Sequence, residues 1–473
     1  MKGKAKQIAE KLLSKEKILI VSHIDADGIT SASIAHKALE RAGKDPEVKF
    51  VKQLDESEIE KLQDEEYDLI WFTDLGSGQL ECLGEFNCVI TDHHEPQGEA
   101  GPPRVEDRGN ILSYTNSGIL ELNPHRYGID GAKEISGSGT TYLVAREMEE
   151  RNKDLSKLAV IGAVGDLQAS DKNKLVGKNR EILQEAIEED VVRKRTDAAL
   201  YGVESRPLPK LLEFASDPIL PGLTGDESAC TNFLVENDIH LKEDEEWRRW
   251  YDLSKEEKRR ILSGLADRML DRGYPVEYVD SLIGEVYTFP GEEQGSMLHE
   301  AKEFSTLLNS CGRYEKGNIG LKVCLGDRDK YFDKAKSLLK GHQKVLVDSL
   351  DHVESVGVEE REYLQYFHGS DEIPDTVVGT VAGMVLNSGD VDRRLPILAF
   401  AESEEREGVK VSSRGTKRLV NSGLDLSSVM TECSKKVGGE GGGHDIAAGA
   451  LIPYGKEEEF LKEVEKMIES QLD

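Results

Sequence analysis

Features that define several classes of protein are scarce in this sequence. The 473 residues include only six cysteines, and no two of them form a CxxC pair, which argues against a disulfide framework or a zinc ribbon and predicts reduced thiols in a cytoplasm. No apolar run approaches the roughly 18 residues of a membrane-spanning helix. The opening stretch MKGKAKQIAEKLLSKEK also lacks the apolar segment of a secretory signal. We therefore expect a cytoplasmic protein that does not enter a membrane.

Basic residues are outnumbered, with 61 Lys and Arg against 91 Asp and Glu and a formal net charge of −30. A chain this acidic is not a general polyanion-coating protein. The exception is a basic segment at 408–437, which has six basic and two acidic residues. Its bases are Lys410, Arg414, Lys417, Arg418, Lys435 and Lys436. This basic segment predicts contact with a polyanion, and the alternative is a solvated basic turn.

The first 190 residues alternate between patterns typical of strands and of helices. Strands are predicted at ILIV (18–21), EVKFVK, YDLIWFTD and NCVITDHH. A helix over SASIAHKALERAG is expected to end at Gly43. Strands that alternate with helices predict a doubly wound parallel sheet.

The rest of the chain divides into two further parts. Residues 191–284 are densely charged and lack an alternation of strands, so they predict a helical insert or bridge. Beyond residue 285 the alternation returns, with strands expected at IGLKVCLG, KVLVDSL, LPILAFAE and VKVSS and a closing helix over EEEFLKEVEKMIESQL. We predict an α/β protein with domains at 1–190 and 285–473, the insert at 191–284 between them, and a cleft between the two end domains.

Polar clusters occur in the first domain where predicted elements end. They are His23-Ile24-Asp25-Ala26-Asp27-Gly28 after ILIV, Asp74 after LIWFT, Asp92-His93-His94 after CVIT, and Gly165-Asp166 after the helix LAVIGAV. In an open parallel sheet, ligands bind outside the carboxyl ends of the strands, so these side chains are expected to meet in one crevice. Carboxylates and imidazoles are ligands of hard or borderline divalent metals.

Charge counting favours two metal ions. Four carboxylates carry four negative charges, which two divalent cations would neutralise so that an anionic phosphodiester can enter. They belong to Asp25, Asp27, Asp74 and Asp166. A water between the ions would ionise more easily, with its pKa lowered from 15.7 toward about 7. Asp92 fits better as the partner that orients a ligating histidine. A DxDG string alone is typical of a turn, so the prediction depends on the four clusters together.

These clusters resemble, in order, the four motifs of the DHH phosphoesterases. Near the other end, Gly442-Gly443-His444-Asp445-Ile446-Ala447-Ala448-Gly449 resembles the GGHxxAAG motif of the DHH-associated domain, and Ser412-Ser413-Arg414 resembles its Ser-x-Arg element. The stretch Leu307-Leu308-Asn309-Ser310-Cys311-Gly312-Arg313 is similar to the archaeal branch of the RecJ-type single-strand exonucleases, which includes the GINS-associated nuclease. The resemblance implies a DHH catalytic domain at 1–190 and a nucleic-acid-binding DHH-associated domain at 285–473.

The resemblance also implies roles for individual residues. One metal would be held by His23, Asp25 and Asp74, and the other by Asp27, Asp74, His93 and Asp166, so that Asp74 bridges them. His94 would contact the scissile phosphate, and the catalytic residues would be Asp74, Asp92 and His94. Nucleic-acid phosphates would be bound by Ser412, Arg414, Gly442, Gly443 and His444. Mn²⁺ is the expected ion, with Mg²⁺ as an alternative. His23 and Asp445 depart from the family pattern, which usually has Asp at the first position in bacterial RecJ proteins and a small residue at the second.

The implied function is a two-metal exonuclease of single-stranded nucleic acid, with single-stranded DNA cut 5′→3′ in replication or repair and RNA as an alternative substrate. GINS or other replisome proteins are the expected partners of the helical insert, whose charged helices carry both signs. One alternative is a DHH phosphoesterase acting on very short RNAs, adenosine bisphosphate or cyclic dinucleotides. Another is a non-catalytic replisome scaffold. A manganese-dependent inorganic pyrophosphatase is less favoured, because its first motif has a longer His-to-Asp spacing.

Overall fold

The structure is a computed structural model that describes residues 1–63, 66–84, 86–98, 119–169, 173–215, 218–388, 391–403 and 407–472. Contacts divide the chain into two compact units. The first comprises Met1–Phe214 and Glu227–Leu339, and the second comprises Ala215–Asp226 and Lys340–Asp473. The predicted boundaries near residues 190 and 284 stay predictions. No helix in the described ranges combines the length and apolarity needed to cross a membrane.

The first unit contains a parallel sheet, its covering helices and a mainly helical middle segment. Its elements are α1 (Lys2–Leu13), β1 (Ile18–His23), α2 (Ala26–Arg41), β2 (Glu47–Val51), α3 (Glu56–Gln63), β3 (Leu69–Thr73), β4 (Cys88–Thr91), β5 (Leu120–Leu122), α4 (Gly137–Met148), α5 (Ser156–Gly165), α6 (Gly177–Glu188), β6 (Arg193–Ala198), α7 (Leu208–Glu213), α8 (Glu227–Glu236), β7 (Lys242–Glu243), β8 (Glu246–Trp247), α9 (Lys255–Asp271), α10 (Val276–Val279), β9 (Ile283–Thr288), α11 (Ala301–Arg313), α12 (Gly317–Cys324) and α13 (Lys330–Val356). Residues of α13 from Lys340 onward are grouped with the second unit.

The main sheet has the strand order β2-β1-β3-β4-β5, and every pair in it is parallel. Successive residues of β1 face opposite layers: Ile18 and Ile20 pack in a core with α1, α2 and α4, whereas Leu19 and Val21 pack in a core with α3. A strand buried on both faces needs an unbroken apolar run, which is why ILIV has no polar alternation. The predicted doubly wound parallel sheet is confirmed.

The strand order creates a crevice at one end of the sheet. The connection from β1 leads to β2 on one side, whereas β3, on the other side of β1, leads on to β4 and β5. At such a switch point the two loops diverge and leave a cavity outside the carboxyl ends of the strands. Because β1 ends at His23 and β3 ends at Thr73, the first two polar clusters of the sequence enter this crevice.

Two strands expected after residue 285 are wrong. The run IGLKVCLG lies in α12, and KVLVDSL lies in α13. In α12, Gly317, Gly320 and Leu321 are buried at the i, i+3 and i+4 spacing of a helix. A short apolar run does not distinguish a buried helix from a strand, and here helical packing against α2 and α11 decides.

The middle segment is helical over α7 to α10, as predicted, but it also contains strands that the sequence pattern did not reveal. β6 pairs antiparallel with β9, from Arg193 opposite Thr288 to Ala198 opposite Ile283, and β7 and β8 form a small hairpin. The sequence of β6 is RKRTDA, which contains no apolar run. A strand this polar is held by pairing rather than by burial, so hydrophobic periodicity misses it.

The second unit contains a mixed sheet in the order β10-β11-β12-β13-β15-β14. In this sheet β11 and β12 are parallel, and the other neighbouring strands are antiparallel. Its elements are β10 (Glu359–Glu360), β11 (Gln365–Ser370), α14 (Val378–Ser388), β12 (Ile397–Glu402), β13 (Val409–Arg414), α15 (Lys417–Asn421), α16 (Leu426–Lys436), β14 (Glu440–Gly443), β15 (Ala447–Ile452) and α17 (Glu457–Leu472). α16 and α17 cover one face and α14 covers the other. The predicted strands LPILAFAE and VKVSS and the closing helix are confirmed.

Candidate metal centre

The loop after β1 carries the first pair of candidate ligands. Asp25 is the N-cap of α2, where its Oδ1 accepts a hydrogen bond from the Gly28 N–H at 2.9 Å. Its other oxygen, Oδ2, lies 3.1 Å from Nδ1 of His23. A Cβ at position 28 would lie 2.0 Å from the His23 carbonyl oxygen, so only glycine permits this tight turn. The turn therefore holds the His23 and Asp25 side chains side by side.

Asp74 lies at the centre of the site and is only 1% exposed. Its backbone is left-handed, with φ at 60°, and its N–H donates to the Thr91 carbonyl at 2.8 Å. Oδ2 lies 3.6 Å from His23 Nδ1, and Oδ1 lies 3.3 Å from His93 Nε2. Within the described chain, Oδ1 is a buried oxygen without a hydrogen-bond partner. An unpartnered buried carboxylate oxygen is costly unless a cation satisfies it, so this position fits a metal ion.

Asp27 is buried in the first turn of α2 and is held from the opposite side of the crevice. Its two oxygens accept hydrogen bonds from the N–H groups of Gly137, at 2.6 Å, and Ser138, at 3.0 Å. These amides begin α4, and the positive end of a helix dipole favours a carboxylate there. A Cβ at Gly137 would lie 2.2 Å from Asp74 Oδ1, so the missing side chain at this position is what allows α4 to approach both aspartates.

The Asp92-His93-His94 triplet follows β4, and its aspartate organises the other two residues. Asp92 Oδ1 accepts hydrogen bonds from the N–H of His93 at 2.7 Å and from the N–H of His94 at 3.1 Å, and it lies 2.8 Å from His94 Nδ1. Its Oδ2 accepts the Ser77 N–H at 2.9 Å. His93 is buried, whereas the His94 side chain is 55% exposed. Because Nδ1 of His94 is bonded to Asp92, Nε2 is the ring nitrogen that can contact a metal ion or a substrate.

His93 connects the remaining candidates. Its Nδ1 lies 2.7 Å from the Gly131 carbonyl, which fixes that nitrogen as the protonated one. Its Nε2 lies 3.3 Å from Asp74, 3.9 Å from Asp27 and 3.7 Å from Asp166. Asp166 follows α5 as its C-cap. The side chains of all four polar clusters therefore meet in one crevice.

The electrostatics of the site are those of a cation site. Burial raises the pKa of Asp27, reinforced by the nearby carboxylates of Asp74 and Asp166, and burial also raises the pKa of Asp166 to about 6. Burial opposes ionisation of Asp74, yet the imidazoles of His23 and His93 outweigh it and lower the pKa of that carboxyl. Protons shared among carboxylates and imidazoles are what a divalent cation displaces on binding. The donor set therefore fits divalent ions.

Among the residues that the structure describes, three groups of side chains have ligand atoms within 4.8 Å of one another. They are His23 with Asp25 and Asp74, Asp27 with His93 and Asp166, and Asp74 with His93 and His94. The first has the same members as the first predicted ligand set, and the second contains three of the four members of the other predicted set, without Asp74. The third places His94 among possible ligands, whereas the sequence assigned it to the scissile phosphate. Asp74 and His93 each belong to two of these groups.

Several residues that the sequence patterns did not single out support the site. Gln168 and Asn123 are buried beside it, and Asn309 of α11 accepts the N–H of Ala26 on its Oδ1 at 2.9 Å. Asn123 donates from Nδ2 to the His94 carbonyl at 2.8 Å. No spacing rule marks such residues, because their partners come from elements far away in the sequence. For Gln168 the available signal was a polar side chain two positions after Asp166.

The predicted phosphate-binding residues lie together in the second unit. Ser412 and Arg414 are on β13, and Gly442 is on β14. Ser412 and Gly442 both pair with Gly449 of β15, so the three form a row across one face of the sheet. Gly443 ends β14 next to the exposed His444, whose N–H donates to the Ala447 carbonyl at 2.9 Å. His444 therefore lies in a hydrogen-bonded turn that leads from β14 into β15.

Arg414 lies on the same face as this row. Its Nη1 donates to the Ser413 carbonyl at 2.8 Å, and burial lowers the pKa of its guanidinium. A Cβ at Gly379, in the first turn of α14, would lie 2.5 Å from Arg414 Nη2, so the absence of a side chain at Gly379 leaves room for the guanidinium.

Elsewhere in the basic segment, the charge of Lys436 is neutralised, because its Nζ lies 2.8 Å from Glu463.

This parallel sheet, with carboxylates and imidazoles converging at the ends of β1, β3 and β4, has the fold and site of a metal-dependent phosphoesterase. Three family models match the chain: the DHH family N-terminal domain over 17–165, the DHH-CID domain over 200–283 and the DHHA1 domain over 361–470. An uncharacterised protein of Methanocaldococcus jannaschii, MJ0831, is 32% identical over 473 residues, which cover 99% of this chain and 97% of that protein. The chain belongs to the DHH family.

More distant relatives share the fold. The single-stranded-DNA-specific exonuclease RecJ of Bacillus subtilis is 27% identical over 191 residues, 37% of this chain and 22% of that protein. The crystal structure of Thermus thermophilus RecJ with Mn²⁺ matches with a TM-score of 0.58 and 16% identity, over 98% of this chain and 54% of that one. CDC45 of Entamoeba histolytica matches with a TM-score of 0.65 and 14% identity, over 99% of both chains. The chain thus spans about half the length of the Thermus RecJ chain.

Proposed function

We propose that the protein is a two-metal exonuclease of single-stranded nucleic acid, acting on single-stranded DNA in the 5′→3′ direction in replication or repair. The observation that carries the proposal is that the ligand atoms form overlapping groups which share Asp74 and His93. Overlapping groups suit two neighbouring cations better than one. RecJ of Bacillus subtilis, a sequence relative, is named as a single-stranded-DNA-specific exonuclease.

Each ion has its own set of candidate ligands. His23, Asp25 and Asp74 would hold one, and Asp27, His93 and Asp166, with Asp74 shared, would hold the other. Mixed nitrogen and oxygen donors suit Mn²⁺, and Mg²⁺ is the alternative. When bound, divalent ions would neutralise the charge of the phosphodiester and lower the pKa of the water that attacks phosphorus.

The surrounding residues have separate tasks in this proposal. Asp92 fixes the rotamer of His94 through the 2.8 Å contact with Nδ1 and raises the pKa of that imidazole. With both ring nitrogens protonated, Nε2 can donate a hydrogen bond to the scissile phosphate. The exposure of His94 leaves it accessible to substrate, whereas the buried His93 is accessible only to a small ion.

The second unit would hold the phosphate backbone of the strand. Gly442 and Gly449 lack side chains, so a phosphate can approach the backbone closely at this face of the sheet. Arg414 and Ser412 lie on the same face and can donate hydrogen bonds to phosphate oxygens. His444, in the turn after β14, adds a further donor.

Digestion of end-labelled single-stranded DNA and RNA tests the activity directly. Hydrolysis should require Mn²⁺ or Mg²⁺ and stop in EDTA, and labels at opposite ends give the polarity and the preferred substrate. A protein that releases no nucleotide from either polymer with either ion would contradict the proposal and favour the non-catalytic scaffold.

Substrate length separates a nuclease from a small-molecule phosphoesterase. With oligonucleotides of roughly 2 to 20 residues, catalytic efficiency should rise over the first several nucleotides and then level off, because each phosphate bound adds affinity. Dinucleotides, bisphosphates or cyclic dinucleotides hydrolysed tenfold faster than long strands, about 1.4 kcal/mol of preference, would overturn the nuclease proposal.

Removing Arg414 tests the proposed phosphate contact. Arg414→Ala should weaken binding of a long strand and reduce the slope of log affinity against log salt by about one, with Mn²⁺ binding unchanged. Arg394→Ala is the matched control, since Arg394 is an exposed arginine of the same unit that is paired with Asp392. An unchanged slope for Arg414→Ala would show that this arginine does not contact phosphate.

We further propose that the middle segment at 191–284 binds a replisome protein such as GINS. Its long helix α9 carries charges of both signs, and Val235, Trp247 and Val276 are exposed apolar residues of this segment. Mixing purified GINS with the wild type and with Trp247→Ala, followed by gel filtration, tests the proposal. Absence of a complex with the wild type would contradict it.

A further inference from the structure

Gln168 is a buried glutamine beside the candidate metal centre, with a side chain only 4% exposed. Its Nε2 donates to Asp166 Oδ2 and to the Gly131 carbonyl, each at 2.8 Å. Its Oε1 accepts a hydrogen bond from Asn179 Nδ2 at 2.5 Å. Both ends of the amide are therefore occupied, and a buried amide bonded in this way has a fixed orientation.

Asn179 sets that orientation. It is 2% exposed near the start of α6, where its backbone N–H donates to the Glu134 carbonyl at 2.7 Å. Because its Nδ2 can only donate, Gln168 must present Oε1 to it and therefore points its NH₂ group at Asp166 and Gly131. A flipped Gln168 would place two acceptors against the Asp166 carboxylate and the carbonyl.

The Gly131 carbonyl joins Gln168 to a second candidate ligand. The same oxygen accepts the hydrogen bond of His93 Nδ1 at 2.7 Å, which leaves His93 Nε2 facing the aspartates. One amide thus bonds Asp166 directly and holds His93 through a shared carbonyl. These are two of the three members of the group formed with Asp27.

The chemical type of this residue also matters. A lysine or arginine could donate to Asp166 as well, but its positive charge would compete with a cation for that carboxylate. A neutral amide orients the oxygen and leaves its full charge for the ion.

We infer that Gln168 is a positioning residue that selectively sets the affinity of the ion held by Asp27, His93 and Asp166. The inference rests on the proposed two-metal site and extends it to a residue that contacts neither substrate nor ion. It distinguishes the two ions, because the contacts of Gln168 and the Gly131 carbonyl reach only one of the two predicted ligand sets.

Calorimetric titration with Mn²⁺, without substrate, tests this inference. The wild type should bind two ions, and Gln168→Leu, which keeps the side-chain volume and removes the amide, should bind one of them about 10–100-fold more weakly. Affinity for the other ion should not change. Gln184→Leu is the matched control, because Gln184 is an exposed glutamine of α6 whose Nε2 donates to Glu188 at the surface.

Activity and stability separate positioning from a purely structural role. Raising the Mn²⁺ concentration should restore the kcat of Gln168→Leu to near the wild-type value, since the ligands themselves remain. Thermal unfolding in EDTA checks that the variant is folded. If it is not, Asn179→Ala, which removes the hydrogen bond to Oε1 of Gln168 and so loosens the amide, should lower the affinity for the same ion by a smaller factor.

The possible outcomes are distinct. The inference would be overturned if Gln168→Leu bound both Mn²⁺ ions with unchanged affinity, or if its affinity for both ions fell by the same factor. Either result would leave the proposed function standing. If Gln168→Leu does not fold, the same two results in Asn179→Ala would overturn it. A wild type that binds no Mn²⁺ would instead remove the proposed function itself.

Discussion

Replacing Asp74 by asparagine removes one negative charge from the centre of the site while leaving the backbone undisturbed. Asp74 has a left-handed backbone, with φ at 60°, and asparagine is one of the few residues that adopts this conformation readily. Asp74→Ala would add about 1 kcal/mol of backbone strain, so the asparagine variant isolates the effect of the charge. The side-chain volume is also nearly unchanged.

The expected magnitude follows from the position of the carboxylate. Its two oxygens face different imidazoles, 3.6 Å from His23 and 3.3 Å from His93, so both predicted ligand sets lose the same charge. If a shared carboxylate contributes about 4 kcal/mol to metal-assisted stabilisation of the transition state, its loss lowers the rate about 10³-fold. Folding should persist, because the lost attraction to His23 and His93 is offset in part by the lost repulsion from the carboxylates of Asp27 and Asp166.

Initial rates on a labelled single strand at saturating Mn²⁺ provide the assay, with unfolding in EDTA as the test of folding. Asp190→Asn is the matched control, since Asp190 is exposed and also has a left-handed backbone, with φ at 53°. The control should keep the wild-type rate. Wild-type turnover by Asp74→Asn would refute the bridging role, and equal losses in both variants would show that the effect does not come from the site.

Three further substitutions test other parts of the structure. Gly137→Ala places a Cβ 2.2 Å from Asp74 Oδ1 and should abolish hydrolysis. Gly3→Ala is the control, because Gly3 has open space around it and the variant should keep the wild-type rate. Equal rates in the two variants would contradict the close approach of α4 to Asp74. Asn309→Ala removes the acceptor for the first amide of α2 and should lower the free energy of unfolding in EDTA by about 1 kcal/mol, as measured with urea. Burial raises the pKa of Glu300 from 4.5 to about 7, so the stability of the wild type should fall relative to Glu300→Gln by about 3 kcal/mol as the pH rises between these values. Urea unfolding of both proteins at pH 5 and pH 8 checks this, and a difference that is independent of pH would contradict it.

The sheet and the main site residues could be predicted because their signals are local. ILIV and LIWFT are apolar runs buried on both faces, and Asp25 and Asp74 follow the strand ends directly. Parallel topology then brings such residues to one edge without further information. The sequence therefore indicated which side chains meet, and the structure supplies the distances between their atoms.

What could not be predicted depends on tertiary partners. The run KVLVDSL became part of α13 because its environment favoured a helix, and the charged β6 formed because β9 lies beside it. Gln168 bonds to Gly131 and Asn179, and Asn309 bonds to Ala26, and folding brings these partners together. Pair contacts of this kind leave no periodicity in the sequence, so only coordinates reveal them.

The path of the chain has a consequence for synthesis on the ribosome. The last candidate ligand of the metal centre is Asp166, yet α11, which packs on α2 and α5 and presses Ser305 against Gly165, begins only at Ala301. At bacterial-like elongation rates, on the order of ten seconds separate the emergence of these two parts. Throughout that interval the nascent chain exposes the apolar surface that Phe304, Leu307 and Leu308 later cover. Until α11 has emerged, aggregation of the growing polypeptide through this uncovered surface is the expected hazard.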